Sequence, residues 1–594
     1  MIYGKLTLED WCNICVEGEK PESIYERHDL RIFFYGTLYN RDVFHASLDD
    51  TNAKLVADAY LKDRHLAFAR LDGSFTIIYY TEAECGIVRD HHGMHIPVYY
   101  TKKGEFATSP ITLSENFTIS CRPDKKSLSN FLQSGLLSKS NSTFQDIFRL
   151  EAGQMIYLNN DCIYCVNTFQ QDYADVKTVV GKKPDIEFYS HEYGKLHAEA
   201  IRRRIGDSRH VGILLSGGYD SGANLAALRS IYDGEIDSYS VGFKGDNWTE
   251  LPLARIMSQT FNTRHHEYEI DGTEINALPD IVDFLGEPFV EGGLMVNYCA
   301  MRMIGQDKPE VILGGDGSDQ YFGTSGREVA MHYLVARNCM CPIIKGMYKL
   351  LNREAFDKDG KLYRVRFHLD KILNILEGDR FGFSDFHMRK LLRYPNQDFS
   401  PTLKIKPDTH SFAHLYAQHA LFSDIDIVIN RVILYKASRM AKMFDNNLTF
   451  PYMDLNLYHF LQELPVCLKC KGDTVLDIAR GHGIAKYLMK YHYGSLLPEA
   501  ITSKKKQGGF APMPLFFRDP VQRARLKEFI LSAAVTRDFL NHAAVECFLT
   551  NYDREAMQER SWFWYRQNRA LQYFNMLTLA VWWERFIEKK NVEF

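Results

Sequence analysis

Two short stretches gather hydroxyls, carboxylates and glycines in a pattern suited to phosphate chemistry. Ser216-Gly217-Gly218-Tyr219-Asp220-Ser221 places two hydroxyls and a carboxylate in one turn. The apolar run Val211-Gly212-Ile213-Leu214-Leu215 precedes it, and small residues at helical spacing follow it through Leu228. Strand, glycine-rich turn and helix together present backbone N–H groups to an anion. Glycine lets phosphate oxygens approach, Ser216 and Ser221 can donate to them, and Asp220 can hold a divalent cation. The second stretch, Gly314-Gly315-Asp316-Gly317-Ser318-Asp319, follows the apolar Val311-Ile312-Leu313. A tight turn explains either stretch alone; their repetition after two apolar runs favours a ligand.

These turns need a frame. Ile236–Phe243 and Arg264–Ile270 read as further strands, with helices over about 187–204 and 249–260. Strands alternating with helices imply a parallel, doubly wound sheet with ligands at the carboxyl ends of its strands. Val241 and Gly242 stand at such an end. Residues 1–170 differ: short alternating strands with helices near 52–60 and 126–135 suggest a layered α+β domain. A polar stretch over 171–185 reads as the linker, and 186–594 as the second domain.

The first turn resembles the pyrophosphate loop (PP-loop) of the N-type ATP pyrophosphatases. The second resembles a segment of the asparagine synthetase family, as do Phe450-Pro451-Tyr452-Met453-Asp454 and the loop from Leu497-Pro498-Glu499 to Lys506-Gln507-Gly508-Gly509-Phe510. GTLYN (36–40), RLDGSF (70–75), RDHHG (89–93) and FATSP (106–110) run in the order of class II glutamine amidotransferase domains. The resemblance implies an Ntn-type sandwich followed by a PP-loop, adenine nucleotide alpha hydrolase-like α/β domain with extra helices. It implies ATP and Mg²⁺, with Asp220 and Asp319 as metal ligands. Nucleotide contacts would come from Leu214, Ser216, Gly217, Gly218, Asp220 and Ser221, from Val241 and Gly242, and from Gly314 and Gly315. Lys506 would be the active-site lysine and Asp316 would position the amine or acyl-adenylate. Gly286-Glu287-Pro288-Phe289 resembles the family's acid-Pro segment near the acceptor pocket, with Gly292-Gly293 in place of the usual serines.

One departure bears on function. The family's glutaminase uses a cysteine as the first residue of the processed chain, whereas Met1-Ile2-Tyr3 stands here. The expectation is a glutaminase-inactive, structural first domain. The expected reaction is adenylation of a small-molecule or peptide carboxylate and acyl transfer to an amine, as in β-lactam and lasso-peptide macrolactam synthetases. An asparagine synthetase using ammonia or glutamine, or a non-catalytic scaffold, are the alternatives.

The 594 residues carry a net charge of -4, which gives no electrostatic footprint for nucleic acid. No long apolar run indicates a membrane partner, and the N-terminal residues do not read as an apolar leader, so a cytoplasmic protein is expected, with a homodimer as the oligomer to test for. Twelve cysteines include the pairs Cys12/Cys15, Cys162/Cys165 and Cys467/Cys470. Reduced thiols explain them better than zinc, since no histidine partner stands at finger spacing. His91, His92 and His95 are expected at solvent or the core edge. Helices over 324–420 are expected to cover the site, and Trp562, Trp564, Trp582 and Trp583 to lie in core helices.

Overall fold

The computed structural model describes residues 1–8, 16–27, 29–45, 47, 49–117, 119–169, 184–305, 308–323, 326–377, 382–394, 405–504, 511–558 and 560–594. Two antiparallel sheets face each other in the first part. One runs in the order Val16–Gly18, Ile2–Lys5, Glu105–Ala107, Val98–Tyr100, Phe148–Leu150. The other runs Cys162–Asn167, Gln154–Asn159, Glu84–Arg89, Gly73–Thr81, Leu30–Leu38, Ser23–Arg27. Ile2, Ile78, Ile87, Val98, Phe106 and Ile156 fill the space between them. The strand Gly73–Thr81 is buried on both faces because the helix Asn52–Asp63 packs Leu55 and Val56 against its outer side. That double cover explains the nearly continuous apolar run after Ser74.

The second part is built on a parallel sheet ordered Arg264–Ile270, Glu235–Phe243, His210–Leu214, Val311–Leu313, Leu448–Thr449. Its order reverses about His210–Leu214. Later strands add on one side through Glu235–Phe243 and on the other through Val311–Leu313. A ligand crevice forms at such a switch point. Both glycine turns leave from it, because Ile213 pairs with Leu313 in adjacent strands. The layered sandwich and the parallel sheet agree with the sequence expectation. Asp185 caps the helix Ile186–Ile205 by accepting from the Glu187 and Phe188 N–H groups. The linker expected over 171–185 lies, apart from its last two residues, outside the described residues.

The two parts are joined by buried polar contacts. His92 Nδ1 pairs with Asn430 Oδ1 at 3.0 Å and its Nε2 with the Tyr321 hydroxyl at 2.8 Å. Arg204 donates to Asp72 at 3.3 Å and to Asp454 at 3.1 Å. The expectation for the histidines is corrected in part: His91 and His92 are buried and His95 is half-buried. Burial pushes His92 down to about 4, and His91 and His95 to about 3, so the rings are held neutral. The RDHHG turn is wedged between the two parts, which turn chemistry alone does not reveal. Cys162 and Cys165 are exposed on an edge strand, and Cys12 and Cys15 lie outside the described residues.

Candidate active site

The first glycine turn holds its shape through its own hydroxyls. Ser216 N–H donates to Ser221 Oγ at 3.0 Å, and Gly218 N–H donates to Ser216 Oγ at 3.1 Å. The helix Tyr219–Ile231 then starts at Gly218 with no side-chain cap. Its first N–H groups therefore face the crevice, as an anion site requires. The second turn touches the first. Asn224, on that helix, donates to the Gly314 carbonyl at 3.0 Å, and a Cβ at Gly315 would stand 3.3 Å from the Ser221 nitrogen. Gly317 has φ +103, in the left-handed region that glycine accepts without strain.

The carboxylates expected to share a cation converge on one point. Lys486 Nζ lies 2.6 and 2.8 Å from the two oxygens of Asp220 and 2.7 Å from Asp319 Oδ1. Burial of the ammonium opposes its charge, but Asp220 and Asp319 outweigh that and hold its pKa well above the ordinary lysine value. Lys486 itself sits at φ 53, ψ 42, a left-handed backbone uncommon for a residue with a side chain. The small hairpin Cys470–Lys471 with Ile484–Ala485 ends just before it and delivers it there.

A cavity of about 780 Å³ opens over both turns. Leu214, Ser216, Gly217, Gly218, Asp220, Ser221, Val241 and Gly315 line it, as do Asp316 and Asp319. Two expected nucleotide contacts do not, and are corrected. Gly242 packs away from the cavity, where a Cβ would meet Leu251 and Thr249 at 2.5 Å. This follows from the strand's alternation, since Val241 faces the cavity. Gly314 lies against the Phe450 ring and gives its N–H to the Thr449 carbonyl at 2.8 Å. Lys506 lies outside the described residues. Its neighbour Lys504 lines the cavity and pairs with Glu250.

Beside Asp316 stands an ion pair that the sequence did not mark. Lys436 Nζ bonds Glu291 Oε2, which also accepts from the Gly293 N–H at 2.7 Å. A side chain at Gly293 would collide with the Lys436 ammonium, its Cβ falling 2.3 Å away. Glycine at this position, where the resembled family has serine, leaves room for that ammonium. Burial pushes the Asp316 carboxyl up to about 6; Lys436 opposes the rise, and Glu291, Asp220 and Asp319 add to it. Glu287, expected near the acceptor, instead takes the Tyr99 hydroxyl at 2.8 Å and lies 3.6 Å from Arg149 in the contact between the two parts. Asp445 pairs with Lys308 at 2.7 Å and Asn447 bonds the Glu310 carbonyl at 3.0 Å, both away from the cavity.

The far wall comes from the helices Cys341–Leu351 and Lys361–Leu373, the widened π-helical turns Ala420–Ile433, and the start of Phe563–Phe586. Trp564 belongs to this wall, which corrects its assignment to the core; Trp582 is buried there as expected. Phe367 stacks on Trp564 at 6.3 Å, and the Lys371 ammonium stands over both rings.

Residues 192–584 match the family described as asparagine synthase. The chain belongs to the asparagine synthase family. Residues 13–170 match the glutamine amidotransferase domain. This family comprises ATP-dependent amide-forming ligases. A Methanocaldococcus jannaschii protein named for a glutamine-hydrolyzing asparagine synthetase is 25% identical over 318 residues, covering 50% of this chain and 59% of that relative. The chain thus spans less than two thirds of that relative's length. Glutamine-hydrolyzing asparagine synthetase 1 of Bacillus subtilis is 21% identical over 560 residues, 88% of this chain and 82% of the relative. Among solved structures, a B. subtilis glutamine phosphoribosylpyrophosphate amidotransferase shares 10% identity over 50% of this chain and 65% of its own, with a TM-score of 0.18, too low to bear on the fold. No helix among the described residues is long and apolar enough to cross a membrane.

Proposed function

We propose that this asparagine synthase family member adenylates a substrate carboxylate and passes the acyl group to an amine. The observation that carries the reading is the meeting of Asp220, Asp319 and Lys486 at the mouths of two touching glycine turns. A PP-loop reading of the first turn places the triphosphate against the Tyr219–Ile231 helix start, with Ser216 and Ser221 donating. Mg²⁺ fits there. It takes one or two carboxylates and fills its shell with phosphate oxygens and water. Two carboxylates already within 2.8 Å of one cationic nitrogen suit that demand. When bound, the ion would neutralise phosphate charge and favour departure of pyrophosphate.

In the first step a carboxylate oxygen attacks the α-phosphorus. The bond to the bridging oxygen breaks and pyrophosphate leaves with its electron pair. Lys486 supplies positive charge beside the leaving oxygens. In the second step the amine attacks the acyl carbon, loses its proton, and the acyl–oxygen bond breaks to release AMP. Asp316, held near neutrality in pKa, suits acceptance of that proton. Lys436 and Glu291 fix its surroundings.

The far wall favours an acyl or amine substrate larger than a single amino acid, with intramolecular amide formation as the leading case. The nucleotide end uses only part of a cavity already large for one ligand, since about 300–1,000 Å³ is usual. The amidotransferase-like part acts in this reading as a brace, through His92, Arg149 and Arg204. ATP–[³²P]pyrophosphate exchange across candidate carboxylates tests the reading. Exchange abolished by Asp220→Ala and Asp319→Ala supports it. No exchange with any carboxylate, peptides included, rejects it. Glutamine-driven amide formation that is lost on Cys12→Ala would reject the brace role.

A further inference from the structure

The helices Cys341–Leu351 and Lys361–Leu373 form one wall of the cavity with one side and leave the other side bare. Tyr348, Asn352, Phe367 and Lys371 face the cavity. Outward stand Met340, Ile343, Met347, Leu350, Leu362 and Val365, each 41–60% exposed. They are six of the twenty-two large apolar side chains that the described residues expose, gathered into 26 positions. Of the residues of Cys341–Leu351, only Leu351 is buried. Ile343, Met347 and Leu350 share a helix face by their spacing, and Leu362 and Val365 extend it on the neighbouring helix. Scattered single apolar residues need no explanation, but a cluster of this kind marks an interaction surface.

The rim has a sign. Lys345, Lys349, Arg353, Lys358, Lys361 and Arg364 are all exposed. Three acids stand against them in 340–366: exposed Glu354 is engaged by Lys390 at 2.5 Å, half-buried Asp359 lies 3.8 Å from Arg364, and Asp357 is buried among Arg366, Arg569 and His387. This basic rim belongs to a chain whose net charge is -4. A Met-, Ile- and Leu-rich face ringed by lysine and arginine matches the apolar stripe and acidic flanks of an amphipathic helix.

We propose that the outer face of the 341–373 helix pair is a docking surface for an acidic amphipathic helix of a protein partner. The wall behind this face borders the cavity on the side away from the glycine turns, so a carboxylate or amine tethered to such a helix is brought to the substrate side of the cavity. That destination rests on the ligase reading above; the docking itself does not. Electrostatic attraction speeds encounter and fixes orientation, while the apolar stripe supplies most of the affinity.

The test uses the full chain without ATP. One fluorescein-labelled peptide of about 20 residues carries leucine at i, i+3, i+4, i+7 and glutamate elsewhere; a twin carries lysine instead. The acidic peptide is expected to bind, to weaken with added salt, and to lose about tenfold or more in affinity to Met347→Glu/Leu350→Glu. Lys345→Glu/Lys349→Glu should weaken it further at low salt. Lys486→Met should bind the peptide as well as the parent chain, which separates this proposal from failure of the active-site reading. Equal binding of both peptides, no binding of the acidic one, or indifference to the two double variants would overturn it. So would phosphatidylglycerol vesicles binding through the same residues while the peptide does not, or a dimer that the Met347→Glu/Leu350→Glu variant dissolves.

Discussion

Replacing Lys486 by methionine removes the one described cation within bonding distance of both Asp220 and Asp319 and leaves its apolar stem nearly intact. The lysine side chain is 7% exposed and each carboxylate 24%. Breaking a buried pair by removing one partner costs about 3–5 kcal/mol, because the other charge stays uncompensated. Partial exposure of the carboxylates puts the expected loss near the low end, about 3 kcal/mol, or on the order of 100-fold in the folding equilibrium. For a chain of 594 residues this is a fall of roughly 2–3 °C in thermal unfolding. The pH dependence has a definite sign. Because its folded pKa is raised, the lysine contributes fully below its unfolded value and loses its effect only at strongly alkaline pH. In the variant, two facing carboxylates hold protons more tightly than in the unfolded chain, so its stability falls as pH rises through and above the ordinary carboxylate range. The deficit should be small at pH 4.5 and full at pH 7, measured by circular dichroism in urea. Adding Asp220→Asn to Lys486→Met should recover part of the loss. A double variant no more stable than the single one would refute the reasoning.

Asp316→Asn should slow amide formation by about 100-fold or more while pyrophosphate exchange changes only several-fold; in the parent chain amide formation should fall away below pH of about 6, where that carboxyl takes a proton. Trp564→Ala should raise KM for the acyl or amine substrate and leave KM for ATP unchanged, since the ring belongs to the far wall. His91, His92, His95 and His197 are held down to between about 3 and about 4, so below the unfolded value near 6.5 the unfolded chain gains protons that the folded one refuses. Stability should drop steeply between pH 6.5 and 4, by up to about 3 kcal/mol for a single such group, and His92→Gln should flatten the slope of the urea midpoint against pH.

Much of the frame was legible. The strand expected at Val211–Leu215 forms at His210–Leu214, and the helices expected near 187 and 249 begin at Ile186 and Leu251. Periodicity and capping are local, and the parallel sheet follows from their alternation. The glycine turns were legible because hydroxyls, acids and glycines crowd into a few positions. Lys486 was not: it lies in Ile484-Ala485-Lys486-Tyr487, where nothing sets it apart, and its aim depends on a left-handed backbone that no side chain announces. Glu291 and Lys436 escaped for a related reason, since each acquires meaning only from the other. Gly242 was misplaced by one step of the pleat, and Trp564 by a helix that is buried over most of its length but opens to the cavity at its start.

Lys486 stands 266 residues after Asp220 in the chain. At about 5–20 residues per second of synthesis, roughly 13–53 s separate the two on the ribosome. Throughout that interval the nascent sheet can close around its first glycine turn, yet the acids there have no lysine to neutralise them. A chain that stopped before residue 486 would leave Asp220 and Asp319 without that ammonium, so the last third of the sequence supplies the charge that the first glycine turn is built to hold.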